Sequence, residues 1–431
     1  MRNIIIKGVA SVLFFILAGV TVTAAQEIPD ARYEFKPFIT LQEKYTTNAN
    51  NVATNKKHDY ITTITPGVAF AGNDAVFGVD LGAGLNYNIY ANKSQDDYAG
   101  YNGHINLRYN PDPTLTFRLR DNAVRSENPR RQDLADTSTT PSYLSSIDQG
   151  RLIYTMNRLE PSVDWQFTRD GNIGFSYVND IYRSNNNTAN ENTNHTFTPR
   201  FSYWFNQQNG VLFDYSYTKV DNTVSPDLTG HAYHGRYTYK FNPRSSIFAD
   251  YSFTKRDYEA PGTSYDTHSP TVGIEYAFSA NLTGLLQLGY YFSNPSQGNS
   301  NSGLSGTARL TGKDQFTTYS IELKSGYNEA LSGVQGANEN FAREYGVKIS
   351  ISHMLTQRLS ISMSASASEL DYVYANRKDR NYAADLNASY QVLKWLSIFG
   401  RVGYWWNDSP IYTTDRFDEF HAIIGLTATY L

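Results

Sequence analysis

Basic side chains recur along one stretch of the chain at a spacing that can bring them together. His104 and Arg108 are four residues apart, and Arg118 and Arg120 are two apart, just beyond the turn-like segment 110–113. In β-strands, residues at even spacing point to the same face. If the two stretches form a hairpin, all four basic side chains share one wall, a chemistry suited to attracting anions.

An acidic segment follows this basic hairpin. It runs from residue 127 to 149 and carries four carboxylates, Glu127, Asp133, Asp136 and Asp148. An acidic loop folded inward against a basic wall produces a transverse field that screens what passes. The sequence therefore suggests a constriction as one hypothesis. The alternative is a solvated loop beside a few arginines surrounded by water.

A second candidate site combines aromatic and basic residues near the C-terminus. Phe399, Arg401 and Trp405 fall on the face opposite the apolar residues of the alternating segment 396–404. Inward aromatic rings offer flat apolar faces on which sugar rings can stack. The alternative is a contact with a membrane interface or with a plug.

Residues for metal binding or hydrolysis are scattered. His231 and His234 are three apart, which on a strand places them on opposite faces, so they make poor joint metal ligands. His268 and Ser269, with Asp266 nearby in a predicted loop, could serve a hydrolase, and ordinary loop polarity is the competing explanation. No Gly-rich phosphate cradle or nucleotide motif occurs. We predict no enzymatic activity, no cofactor and no metal.

The composition excludes several classes of protein. The chain has 431 residues, a formal charge of -4, 18% charged residues and no Cys. It is not basic, so binding to nucleic acid is not expected. The absence of Cys excludes a disulfide scaffold and a thiol nucleophile. Aromatic residues reach 14%, with 34 Tyr, 23 Phe and 5 Trp, which excludes intrinsic disorder and needs a physical explanation.

The N-terminal sequence indicates an export signal. Arg2 and Lys7 precede an apolar run over 9–22, and small residues follow at 23–25. This order predicts a cleaved signal peptide over residues 1–25, followed by a short periplasmic segment over 26–33. No later apolar stretch approaches 18 residues, which excludes a helical inner-membrane protein. The chain is then expected to be exported, as a soluble protein or as an outer-membrane barrel.

The remainder of the chain has a period of two. From residue 77 to 89, seven apolar residues alternate with six small or polar ones, which a strand sorts cleanly and a helix does not. The same alternation recurs at 101–109, 163–167, 213–217, 272–278, 345–351, 382–390 and 420–430.

Short and long connections alternate between these segments. We count nine short, turn-like connections and ten long polar ones, which predicts 20 strands, with a range of 18 to 22. Short turns, long loops and strands of about ten residues indicate a single antiparallel transmembrane β-barrel over residues 34–431, with short periplasmic turns and longer extracellular loops. Girdles of Tyr and Trp near the strand ends then explain the aromatic excess. A soluble multi-domain β-sandwich, the alternative, leaves the loop asymmetry unexplained.

Two N-terminal segments carry a family resemblance. FITLQEKYTTN at 38–48 and DYITTITPG at 59–67 resemble the first two strands of the putative β-barrel porin family (type 2), which is associated with exopolysaccharide and exosortase loci. An Asp often stands in that family where this chain has Thr47. The resemblance implies an outer-membrane barrel serving polysaccharide secretion, and it transfers no catalytic or binding residues.

Taken with the residues, the resemblance favours an outer-membrane, porin-like channel for secreted exopolysaccharide or sugars. The alternative is a structural or adhesive surface barrel, and a hydrolase at the barrel rim comes third. Expected partners are outer-membrane lipid, periplasmic polysaccharide-export proteins, and the barrel assembly machinery. That machinery would read the C-terminal strand Phe420–Tyr430, although the chain ends one residue later than is usual.

Overall fold

The computed structural model describes residues 33–92, 96–127, 152–185, 191–328, 341–373, 377–409 and 416–430. No helix in this part of the chain is long and apolar enough to cross a membrane. The strands are β1 (Tyr33–Thr46), β2 (Asp59–Asn73), β3 (Phe77–Tyr90), β4 (Tyr98–Asp112), β5 (Leu115–Glu127), β6 (Ile153–Thr168), β7 (Gly171–Ser184), β8 (Asn192–Trp204), β9 (Asn209–Asn222), β10 (Leu228–Asn242), β11 (Ser245–Tyr258), β12 (Tyr265–Ser279), β13 (Leu282–Pro295), β14 (Asn301–Lys313), β15 (Thr317–Asn328), β16 (Ala342–Met354), β17 (Leu359–Tyr372), β18 (Arg377–Leu393), β19 (Leu396–Asp408) and β20 (Phe417–Thr429).

These 20 strands form one closed antiparallel barrel. Each strand pairs with its neighbours in sequence, and β1 closes the sheet against β20 from Phe38–Thr429 to Thr46–His421. Closure satisfies the backbone hydrogen bonds of every strand, as a hydrocarbon environment requires. The predicted strand number and fold class are confirmed.

The strands are longer than the alternating segments indicated. They run from 12 residues in β15 to 17 in β18, rather than about ten, and several extracellular loops are correspondingly short. The reason is that ladder hydrogen bonding continues into polar residues beyond the apolar band. Two assignments are corrected: Glu127 is the last residue of β5 and not part of a loop, and residues 266–269 lie within β12.

The two faces of the wall differ as expected for a barrel in lipid. Large apolar side chains on the outer face are widely exposed, among them Leu304 at 75% and Leu85 at 65%. The inner face carries mainly small, polar and charged residues. An outward apolar band and a polar interior are typical of channels in the outer membrane.

Buried side chains concentrate inside the extracellular mouth. Tyr154 and Tyr182, at the extracellular ends of β6 and β7, stack at 5.8 Å between ring centroids. A second cluster brings Tyr265, Tyr291 and Phe341 together, and each is at most 4% exposed. This aromatic packing holds the upper barrel together where the strands leave the membrane.

Candidate lumen site

The hairpin β4–β5 brings the predicted basic residues to the inner face. Arg108 and Arg118 are direct partners across the two strands. Arg108 Nη2 donates to Asn73 Oδ1 at 2.7 Å and to the carbonyl of Asp74 at 2.6 Å. Arg118 is held apart from Arg108 by an ion pair with Asp164 on β6. Arg108 is thus fixed by acceptors at the β2–β3 turn, and Arg118 by a carboxylate on the neighbouring strand β6.

The same wall carries carboxylates that sequence reasoning missed. His104 Nε2 lies 3.2 Å from Asp80 Oδ1. Asp80, Asn106, Arg120 and Glu160 are successive register partners across β3 to β6, so they form one inward row. The wall is therefore mixed in charge rather than purely basic. The alternation along each strand places these acidic residues on the inner face. Only the strand register shows that they lie beside the arginines.

The acidic half of the predicted constriction is only partly described. Glu127 ends β5, where it accepts a hydrogen bond from the Tyr90 hydroxyl. Asp133, Asp136 and Asp148 lie outside the described residues. The inward-folded loop stays a proposal.

Ion selectivity offers a test of the β4–β5 wall. Arg120 is exposed on the inner face, so Arg120→Glu changes the lumen charge by two units and should shift permeability several-fold toward cations. Reversal potentials in a salt gradient across a planar bilayer measure this. Arg125→Glu is the matched control, because Arg125 is the register partner of the outward Tyr101. Equal shifts in both variants would count against a lumen role for Arg120.

A second site centres on Asp385 of β18. Its Oδ1 accepts hydrogen bonds from Arg401 Nε at 2.9 Å and Nη2 at 2.8 Å, and Oδ2 accepts one from Trp405 Nε1 at 3.1 Å. His421 Nε2 lies 3.3 Å from Oδ1. The carboxylate therefore orients a guanidinium, an indole and an imidazole on one patch of the inner wall.

Gly403 creates the space in which this cluster assembles. A Cβ at this position would lie 2.4 Å from Asp385 Oδ1 and 2.5 Å from His421 Cε1. Of the three predicted residues, Arg401 and Trp405 meet here. Phe399 also faces inward, but its ring covers Gly425, where a Cβ would lie 2.4 Å away, and it does not join the Asp385 cluster.

A third inward network lies on β9 to β13 and was not foreseen from the sequence. Asp250 accepts two hydrogen bonds from Arg236, at 2.6 and 2.8 Å. His234 bridges Asp250 at 3.3 Å and Asp214 at 2.9 Å. Gln287 Nε2 also reaches Asp250 Oδ2, at 3.3 Å. These residues fix one another, and Glu275, 3.8 Å from Arg236, adds a third carboxylate to the network.

Serines line the inner wall beside the Asp385 cluster. Inward positions of β16 and β17 pair as Ser350–Ser364 and Ser352–Ser362, and Ser364 is itself the register partner of Asp385. This hydroxyl surface lies across the 20-stranded barrel from the β4–β6 wall, and it adjoins the inward charged pair Glu322–Lys348 of β15 and β16. Both sides of the lumen therefore carry charged residues, and the β16–β17 side also offers a run of hydroxyl groups.

The barrel wall separates the residues that were considered for metal binding or hydrolysis, because they lie on opposite faces of it. His231 accepts or donates a hydrogen bond with Tyr215 on the outer face, whereas His234 faces inward, as their spacing predicts. His268 contacts Tyr251 on the outer face, and Ser269 has the opposite parity on the same strand. Among the described residues, no group of three or more His, Cys, Asp or Glu is arranged to hold a metal ion.

Fold and lumen together define a porin-like β-barrel of the outer membrane. The chain matches the model of a family described as "Putative beta-barrel porin 2" over residues 31–146 and 226–430. It belongs to this family, which confirms the family resemblance seen in its N-terminal strands and places the protein in the outer membrane.

Solved structures agree on the fold. The FrpB iron transporter from Neisseria meningitidis (F5-1 variant) is similar at a TM-score of 0.55 with 8% identity, over 92% of this chain and 82% of that one. The siderophore receptor PirA from Pseudomonas aeruginosa is similar at 0.51 with 11% identity, over 92% and 80%. At such identities the likeness shows the barrel fold alone. No curated protein matches the sequence.

Proposed function

We propose that this barrel is a channel through which sugars or secreted exopolysaccharide cross the outer membrane. The observation that carries the proposal is the Asp385 cluster, in which Trp405 and Arg401 share one acceptor on the inner wall. An aromatic face beside fixed hydrogen-bonding groups is the combination with which proteins hold sugar rings. The family resemblance to proteins of exopolysaccharide loci points to the same substrate class.

The serine-lined stretch of β16 and β17 supports this proposal. Ser364 connects it in register to Asp385, so a hydroxyl-lined surface leads to the aromatic cluster. Hydroxyl groups both donate and accept hydrogen bonds, and they can exchange partners with a passing saccharide without a large desolvation cost. A saccharide would therefore exchange hydrogen bonds along this side, while charged residues on both walls act on ions.

Single-channel recording of the folded mature protein in a planar bilayer is the direct test. We expect stable conductance of porin size that neutral oligosaccharides block reversibly. Trp405→Ala should weaken blocking about tenfold, since truncating a central tryptophan in a binding site costs on the order of 1–2 kcal/mol. Trp406→Ala is the matched control, because Trp406 stacks on Tyr382 on the outer face.

Two results would argue against the channel. A verified, folded barrel without conductance would favour the structural or adhesive surface barrel. If the barrel conducts and oligosaccharides block both tryptophan variants equally, the result supports a pore and contradicts a sugar site at Trp405.

A further inference from the structure

Three tyrosine–histidine pairs repeat on the outer face of neighbouring hairpins. The Tyr177 hydroxyl lies 2.7 Å from His195 Nδ1, the Tyr215 hydroxyl 2.8 Å from His231 Nδ1, and the Tyr251 hydroxyl 2.7 Å from His268 Nδ1. All three histidines lie toward the extracellular ends of their strands. In the tautomer in which the hydroxyl donates to Nδ1, the proton lies on Nε2, and the imidazole presents an N–H donor.

Two of these histidines have a lysine directly across the strand. Lys219 is the register partner of His195, and Lys255 is that of His231. Both lysines are exposed and lie within a repeated sequence, DYSYTKVD at 214–221 and DYSFTKRD at 250–257. The third pair lacks the lysine, because Phe292 is the register partner of His268. The extracellular side of this outer face therefore bears two Tyr–His–Lys units.

Carboxylates near these lysines hold them only weakly. Lys219 Nζ lies 2.9 Å from Asp221, and Lys255 Nζ lies 3.0 Å from Asp257; Asp266 is the register partner of Lys255. Exposed ion pairs of this kind contribute little, so an incoming anion can replace the carboxylate.

An apolar groove lies directly below the Tyr–His–Lys units. It has a volume of about 790 Å³, and it opens where Pro199, Gly235 and Ala249 leave the outer face shallow between Phe213, Tyr233 and Tyr237. Tyr215 and Tyr251, which bond to the histidines, line its upper end. Gly235 is four residues from His231, or about 13 Å along the strand. The groove thus runs from the donors toward the middle of the membrane.

We propose that this surface binds a phosphate-bearing, acylated lipid of the outer leaflet. Its acyl chains would lie in the groove, and its phosphate would accept hydrogen bonds from the lysines and from His195 and His231. Ammonium and imidazole donors suit phosphate oxygens, and basic residues at the membrane surface are a general device for recognising anionic lipids. A second copy of this chain would fill the groove. It would leave the lysine and histidine donors without a specific phosphate partner.

Native mass spectrometry of the mature barrel in neutral detergent can test this proposal. The probe is lipid A, a bisphosphorylated and acylated glucosamine disaccharide. We expect Lys219→Gln/Lys255→Gln to lower its retention about 30-fold. Gly235→Leu, which fills the groove, should lower it about tenfold. The double variant Lys378→Gln/Arg380→Gln is the matched control, since these two cations face outward on β18 and pair with Glu369. It should bind as the wild type does.

The probe's chemistry separates the sources of binding. Dephosphorylated lipid A should bind the wild type as weakly as intact lipid A binds the lysine variant. Millimolar inorganic phosphate alone should not displace lipid A. Unchanged retention in the lysine variant, an equal loss in the control, or displacement by inorganic phosphate would overturn the proposal. The proposal would also be overturned if the protein formed a dimer that Gly235→Leu dissociates, while the retention of lipid A stayed the same. The folded state of each variant is verified by its heat-modifiable mobility on gels, and His195→Gln/His231→Gln provides a second, milder change with the same expected direction.

Discussion

Replacing Lys44 by methionine should lower the free energy of unfolding by about 3–5 kcal/mol. Lys44 faces inward on β1, where its Nζ lies 3.6 Å from Glu419 Oε1 on β20. Glu419 has no exposed side-chain surface, and Thr46 Oγ1 donates to the same oxygen at 2.6 Å. Removing the cation takes an ionic partner away from a buried carboxylate, which keeps its hydrogen bond from Thr46. The affected strands are the two that close the barrel, so the cost falls on closure.

Urea unfolding followed by tryptophan fluorescence measures this effect. The control is Lys36→Met on the same strand, because Lys36 forms an exposed ion pair with Glu34 and should cost less than about 1 kcal/mol. The double variant Lys44→Met/Glu419→Gln should recover much of the loss, since the buried charge at position 419 is removed with its cation. A loss at Lys44 no larger than that at Lys36 would show that the buried pair does not hold the seam.

Adding one methyl group at Gly403 should dismantle the Asp385 cluster. The new Cβ would overlap both Asp385 Oδ1 and His421, so the carboxylate must move away from Arg401 and Trp405. We expect Gly403→Ala to weaken oligosaccharide blocking about tenfold and to cost on the order of 2–3 kcal/mol of stability, because charged partners lose their hydrogen bonds. Blocking kinetics and urea unfolding measure the two effects.

Gly400, which lies three residues earlier on the same strand and on the outer face, supplies the control. A Cβ at Gly400 would have its nearest contact at 3.8 Å, with the carbonyl of Ile423, so Gly400→Ala should change neither quantity. If both alanine variants behaved alike, crowding at Gly403 would not be what positions the cluster.

The sequence predicts the architecture well because the signal is local. The alternation that defines β3 requires only neighbouring residues, and turn residues mark each hairpin. The same parity assigns Arg108, Arg118, Arg401 and Trp405 to the inner face. Strand ends are harder, because polar residues such as Glu127 keep pairing after the apolar pattern stops.

The partners of the inward residues are what the sequence does not reveal. His104 meets Asp80 from 24 residues away, and Arg118 meets Asp164 from 46 away. Asp385 is 16 residues from Arg401 and 36 from His421, on three different strands. Such contacts depend on strand register and on closure of the sheet, neither of which a single strand's pattern encodes.

The gap in the family match has a consequence for the width of the pore. The matched residues hold β1–β5 and β10–β20, sixteen strands, and the unmatched span contains β6–β9. Since β5 ends and β10 begins on the extracellular side, deleting two whole hairpins would leave strand polarity intact. Barrel diameter grows roughly in proportion to strand number. Gain or loss of two hairpins at this point would therefore change the width of the barrel and leave the closing seam unchanged.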